Sequence, residues 1–267
     1  MIEILSQSEV EAAKPAGELV GRILQTVRDR VVPGTNLLEI DAWAAEMIRD
    51  AGATSCYVDY APSFGRGPFG FHICTAVEDA VLHGKPYDRV VRQGELLTLD
   101  LAVIVDGWAC DSALTFGVGG TRPEDVALVD ATRVALEAGI AQAVVGNRIG
   151  DISHAIGEVL RGAGYSVNGQ FGGHGIGSTM HQDPHVANDG AAGRGYTLRP
   201  GLLLAIEPWV MAGTDELRMD ADGWTLRSAD GSRTAHSEHT VAITEDGPVV
   251  LTRRADEVPP TVGLAAA

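Results

Sequence analysis

Two stretches of this chain, 112 residues apart, carry one pattern: GTNLLEIDAWAAEMIRDAG from Gly34 and GNRIGDISHAIGEVLRGAG from Gly146. Such a repeat constrains the fold more than composition does, because each copy must form the same unit and the two must bury their apolar faces together. Ile40, Ala44, Met47, Ile48 and Ala51 match Ile152, Ile156, Val159, Leu160 and Ala163. Their i, i+4, i+7, i+8 spacing predicts a one-faced helix in each copy, ended by Gly52 and Gly164. A second helical segment precedes each, from roughly Glu9 to Val32 and from Pro123 to Val145, so a helix pair is expected twice.

Strand signals follow each pair: LLTLDLAVIVDG and WACDSALTFGVG in the first half, LLLAIEPWV, DGWTLRS and EHTVAIT in the second. The expected class is α+β. Two helix-pair-plus-strands halves, about residues 1–122 and 123–254, would join near Gly119 to Asp125 around one curved sheet, with a site where they meet. The tail 255–267 is proline- and alanine-rich, and the fold is expected to end near Arg254.

Asp106-Gly107 between two β-rich runs signals a two-residue hairpin and thereby fixes a register. With Val105 facing Trp108, Asp111 falls opposite Ala102, which shares a face with Asp100 because side chains alternate. Asp100 and Asp111 are then diagonal neighbours with Cβ atoms within about 7–8 Å, able to converge on two metal ions about 3.5–4 Å apart. Both sit in otherwise apolar strands, where an unpaired carboxylate is costly and a cation would offset the cost. Two hydrogen-bonded acids at a sheet edge is the alternative that the hairpin alone leaves open.

The segment FGGHGIGSTMHQDPH brings His174 and His181 out of a glycine-rich turn, where backbone can approach a ligand closely. Glu207 lies in a very apolar strand stopped by Pro208, and Glu238 begins the strand EHTVAIT. His83, in the pair His83-Gly84, is a third candidate imidazole. Asp100, Asp111, His174, Glu207 and Glu238 together supply four carboxylates and one imidazole, a set suited to two divalent ions.

Composition narrows the function further. With 36 acidic against 20 basic residues, the net charge of −16 would repel a phosphate backbone, so no nucleic-acid substrate is expected. Cys56, Cys74 and Cys110 lack CxxC spacing and suggest neither a disulfide framework nor a cysteine zinc site. The first residues lack a basic start followed by an apolar stretch, and no run reaches membrane-spanning length, which predicts a cytoplasmic protein without a membrane partner.

These residues, in VLHG, LDLAVIVDGWACDSA, GGHGIG, MHQDP, IEPWV and SEHTVAIT, resemble the type I methionine aminopeptidase family over nearly the whole chain. The resemblance implies the duplicated pita-bread fold as a single catalytic domain spanning residues 1–267. It also implies two divalent ions (Mn, Fe, Co or Zn) and removal of methionine from the N-termini of nascent polypeptides or peptides with a small second residue. By the same resemblance Asp100 and Asp111 chelate the metals, Asp111 and Glu238 bridge them, and His174 and Glu207 complete the set. His83, His181 and Glu207 take catalytic roles, Glu207 as proton relay and His181 as donor to the oxyanion. Cys74 and Trp224 line the pocket for the first side chain, with Tyr60, Phe64 and Met180 as weaker candidates and His83 and His181 also touching substrate. A monomer is expected.

The chain departs from the family pattern at Ala61, where a histidine is expected, at Glu78, where an asparagine is usual, and at Met180, where an aromatic is common. Ala61 and Glu78 are expected on the substrate side and Met180 directly precedes His181, and the departures keep two alternatives open: another pita-bread hydrolase with altered specificity, or a metal-free binding protein.

Overall fold

The computed structural model describes residues 2–63 and 65–257. The repeat resolves into two helix pairs, α1 (Gln7–Arg30) with α2 (Leu37–Asp50) and α3 (Pro123–Gln142) with α4 (Ile149–Gly162). The second helix of each pair starts and stops in the same way. Glu39 accepts from the N–H of Asn36 at 2.9 Å, as Asp151 accepts from Arg148 at 2.7 Å. At the far ends Gly52 (φ 67°) and Gly164 (φ 89°) adopt the left-handed conformation and donate to the carbonyls of Arg49 and Arg161. Ile40, Ala44 and Ile48 are buried, as are Ile152, Ile156 and Leu160. Ala51 and Ala163 are exposed, because each helix has already ended there.

The duplication extends past the helices. Leu37 donates to the carbonyl of Arg89 and Val91 to that of Thr35; Ile149 donates to Tyr196 and Leu198 to Asn147. Each helix start is thereby pinned to a later segment of its own half, residues 89–91 in the first and 196–198 in the second.

The strands of the first half are β1 (Thr54–Ser55), β2 (Cys74–Val77), β3 (Ala80–Leu82), β4 (Leu96–Val105) and β5 (Trp108–Gly117). The second half holds β6 (Gly173–Gly175), β7 (Gln182–Val186), β8 (Leu203–Ile206), β9 (Trp209–Met211), β10 (Leu217–Met219), β11 (Leu226–Ser228), β12 (Thr234–His236), β13 (His239–Thr244) and β14 (Gly247–Val250). They pair antiparallel in four ladders: β1-β4-β2 with β5 on β4, β10-β11-β3, β12-β9, and β14-β13-β8-β6-β7. Asp106 (φ 49°) and Gly107 (φ 89°) make the tight turn, and Ala102 faces Asp111 as the sequence predicts.

Between β5 and β13 the ladder gives way to hydroxyl bridges. The N–H of Glu238 donates to the carbonyl of Ala113 (3.0 Å), and Ser112 Oγ donates to the carbonyl of Glu238 (2.6 Å). Thr240 Oγ1 accepts from the N–H of Asp111 (2.9 Å) and donates to its carbonyl (2.8 Å). Thr115 Oγ1 makes the same double contact with His236. Either side of this seam has its own core, one around Ile23, Leu24, Ile40 and Leu99, the other around Ile152, Ile156, Leu204 and Ile243.

Ordered packing continues beyond the expected end at Arg254. Glu257 bonds Arg254 at 2.6 Å and lies 3.2 Å from Nε2 of the buried His239. The remainder of the expected tail, 258–267, lies outside the described residues.

Thr240→Val keeps the side-chain shape and removes the hydroxyl, leaving the N–H and carbonyl of Asp111 without that partner in a buried seam. It is expected to cost about 2–4 kcal/mol, read as a lower urea midpoint with an unchanged slope.

Candidate active site

The sequence places its acids by strand alternation and by the seam. Asp100 on β4 stands beside Cys74 of β2, and Asp111 reaches the same cavity from β5. Glu207 follows β8 at the break made by Pro208, and Glu238 directly precedes β13. His174 sits in the middle of β6 between β8 and β7, not in a turn. The flanking glycines allow this: a Cβ on Gly173 would run into the carbonyl oxygen of Ala205, and one on Gly175 into that of Asp183. Asp100 and Glu207 are separated by the same number of residues as Val91 and Leu198, so the acids take part in the duplication.

All five expected metal-holding residues line one cavity of about 230 Å³. Asp111, His174 and Glu238 each offer a ligand atom within 4.8 Å of the others. His174 Nε2 lies 3.6 Å from Glu207 Oε1. The tyrosine hydroxyl of Tyr57 donates to Asp100 Oδ1 at 2.5 Å and reaches Asp111 Oδ1 at 3.1 Å.

Burial raises the proton affinity of every one of these acids. Asp100 is pushed up to about 6 by loss of solvent. Burial and the charge of Asp100 push Glu207 up to about 8. Asp111 and Glu238 lie well above the usual carboxylate range, from burial and then from the charges of their neighbours. The imidazoles move the other way, since burial disfavours their cations: His174 falls to about 3, His83 and His181 to about 4.

Glu238 Oε1 and both ring nitrogens of His236 are buried without a hydrogen-bond partner. Four buried carboxylates, a neutral imidazole and an orphaned carboxylate oxygen form a donor set that fits hard or borderline divalent cations and nothing anionic.

Cys74, Tyr60, Met180, Trp224, His83 and His181 line the same cavity. The rings of Phe69 and Trp224 meet edge to face at 5.2 Å and cluster with Cys74, Met180 and Tyr57 into an apolar wall that adjoins the acids. Phe64 lies outside the described residues. Ala61 and Glu78 are not among the residues that line the cavity, although Ala61 directly follows Tyr60, which is. Ala61 is exposed. Glu78 has φ 60°, a conformation that favours asparagine, and it is held there by accepting from the N–H of Leu96 and by an ion pair with Arg233, both at 2.8 Å.

Tyr57, Phe69, Leu82, Phe171 and His236 also belong to the site and were not anticipated. For His236 a signal existed: two residues before Glu238 in an extended run, it shares that residue's face. Its Nε2 lies 3.8 Å from Glu207 Oε2 and 3.9 Å from Glu238 Oε2. For Tyr57, nothing in its local sequence marked it.

Residues 11–245 match the metallopeptidase family M24, and the chain belongs to that family. Among its relatives there, methionine aminopeptidase 1 of Mycobacterium tuberculosis is 44% identical, the match covering 92% of this chain and 93% of that protein. The methionine aminopeptidase of Aquifex aeolicus is 38% identical over 94% and 98% of the two chains. Among solved structures, the methionine aminopeptidase of Thermotoga maritima superposes with a TM-score of 0.90 at 36% identity, covering 95% of this chain and all of the other. The duplicated α+β architecture is thus the pita-bread fold that the sequence predicts. Among the described residues no helix is long and apolar enough to cross a membrane.

A raised folded-state pKa means that the folded, metal-free protein keeps protons which the unfolded chain gives up. That stabilisation is whole below the unfolded carboxylate pKa of about 4 and is lost as pH rises through the folded values. The buried histidines act in the opposite sense, but above about pH 7 they are neutral in both states. From about pH 7 to about pH 9, through the value of about 8 for Glu207, metal-free protein is therefore expected to melt at progressively lower temperature. A divalent ion at about a hundred times its Kd should add about 2.7 kcal/mol. Thermal melts with and without chelator check this, and a pH-independent metal-free melt contradicts it.

Proposed function

We propose that this cavity removes the N-terminal methionine from nascent proteins and peptides whose second residue is small, in a metal-dependent hydrolysis by one catalytic unit formed from both halves. The observation that carries the reading is the convergence of Asp111, His174 and Glu238 from different strands at the acid floor of an apolar cavity. Asp100, Asp111, His174, Glu207 and Glu238 hold two divalent ions of the Mn, Fe, Co or Zn kind. Bound there, such ions act as Lewis acids toward the first peptide carbonyl and acidify a water.

The residues of the chain supply the rest. The wall of Cys74, Phe69, Met180, Tyr60 and Trp224 takes an unbranched thioether, whose flexibility suits an irregular apolar slot. Glu207 takes a proton from the attacking water and hands it to the departing amine, which balances the hydrolysis. His181 donates to the oxygen of the bond being cut, and His83, beside Phe171 and Trp224, acts near the scissile nitrogen. The working location is the cytoplasm, where nascent N-termini are met.

Protein stripped and reloaded with Mn, Fe or Co should release methionine from Met-Ala-Ser. Asp111→Asn is expected to lose activity and metal together, whereas His83→Ala should lose at least about 100-fold in kcat with its metal retained. Trp224→Ala should weaken methionine substrates more than it lowers the melting temperature. Metal-loaded wild-type protein that leaves such peptides intact would overturn the reading, and a fully active His83→Ala would remove that residue from it.

A further inference from the structure

His174 and His181 stand edge to face in the cavity, ring centroids 4.2 Å apart, and each is held at Nδ1 by a different kind of partner. His174 Nδ1 lies 3.0 Å from the carbonyl oxygen of Gly175. A carbonyl can only accept, so the ring proton of His174 sits on Nδ1 and its Nε2 keeps a lone pair, facing Glu207. His181 Nδ1 lies 2.8 Å from the hydroxyl of Tyr60, a group able to donate.

We propose that Tyr60 is a positioning residue: its hydroxyl donates to Nδ1 of His181 and so keeps the ring proton of His181 on Nε2, the nitrogen left to the cavity. This deepens the aminopeptidase reading and rests on it. An oxyanion is stabilised only by a nitrogen that bears a proton, and with the proton on Nδ1 the imidazole would present a lone pair to it instead. Two neighbouring imidazoles are thus set to opposite tasks by their Nδ1 partners. His174 offers a lone pair to a cation and His181 a proton to an oxygen. Packing holds the phenol in place, with ring centroids 5.3 Å from His181 and 6.3 Å from Trp224. Tyr60→Phe keeps those ring contacts and removes the hydroxyl alone.

The test reads the tautomer directly. In zinc-loaded protein carrying ¹⁵N-labelled histidine, two-bond ¹H–¹⁵N correlations should show His181 protonated at Nε2 in the wild type and a mixture of both tautomers in Tyr60→Phe. On Met-Ala-Ser, Tyr60→Phe should lose about 10- to 100-fold in kcat with KM changed by less than about threefold and zinc content unchanged. A wild-type His181 protonated at Nδ1, or a Tyr60→Phe protein with unchanged tautomer and kcat, overturns the assignment. The spectrum needs no substrate, so a wild-type protein that released no methionine would sink the aminopeptidase reading while the ring signals still decided where Tyr60 puts the proton.

Discussion

Asp100, Asp111, Glu207 and Glu238 are buried within one cavity, and each makes ionisation of the next harder. In low dielectric a carboxylate survives only if it is protonated, hydrogen-bonded or paired with positive charge. Arg254 eases the charge of Glu238 and is bonded to Ser112 and Glu257. When these acids are ionised the favourable charge has to come from the cavity side; without it they keep their protons. Much of the surrounding architecture holds these acids in place against their own repulsion.

Duplication is how the chain achieves this. Each half brings one acid on or just after a strand, Asp100 on β4 or Glu207 after β8, and a second farther along, Asp111 on β5 or Glu238 just ahead of β13. Where β5 meets β13 the halves are joined by serine and threonine hydroxyls, not by an unbroken ladder, and the joints at Ser112 and Thr240 touch the backbone of the acids themselves. Side-chain bridges can fix a distance and angle that regular strand pairing would not allow. The result is a floor to which neither half alone contributes more than two carboxylates.

What could be read from the sequence divides along the same physical line. The hairpin register, both helix pairs and the five acid and imidazole positions follow from local periodicity, a two-residue turn and the cost of charge in apolar strands. The breaking of one sheet into four ladders did not follow, because it depends on contacts between β5 and β13 that no local pattern encodes. The setting of Glu78 is not legible for a related reason. Position beside a motif says little about where a side chain points, and Glu78 turns toward Arg233 because a left-handed backbone sends it there. Tyr57 and Phe69 were missed since an aromatic in a loop carries no periodic signal.

Tyr57 has one more consequence. Its phenol is buried, donates to Asp100 and touches Asp111, so the chromophore sits against the two carboxylates most exposed to any change in local charge. A cation drawing on Asp100 Oδ1 would weaken that oxygen as an acceptor, so the hydroxyl of Tyr57 is the neutral link by which the acid floor and the aromatic cluster are tied together.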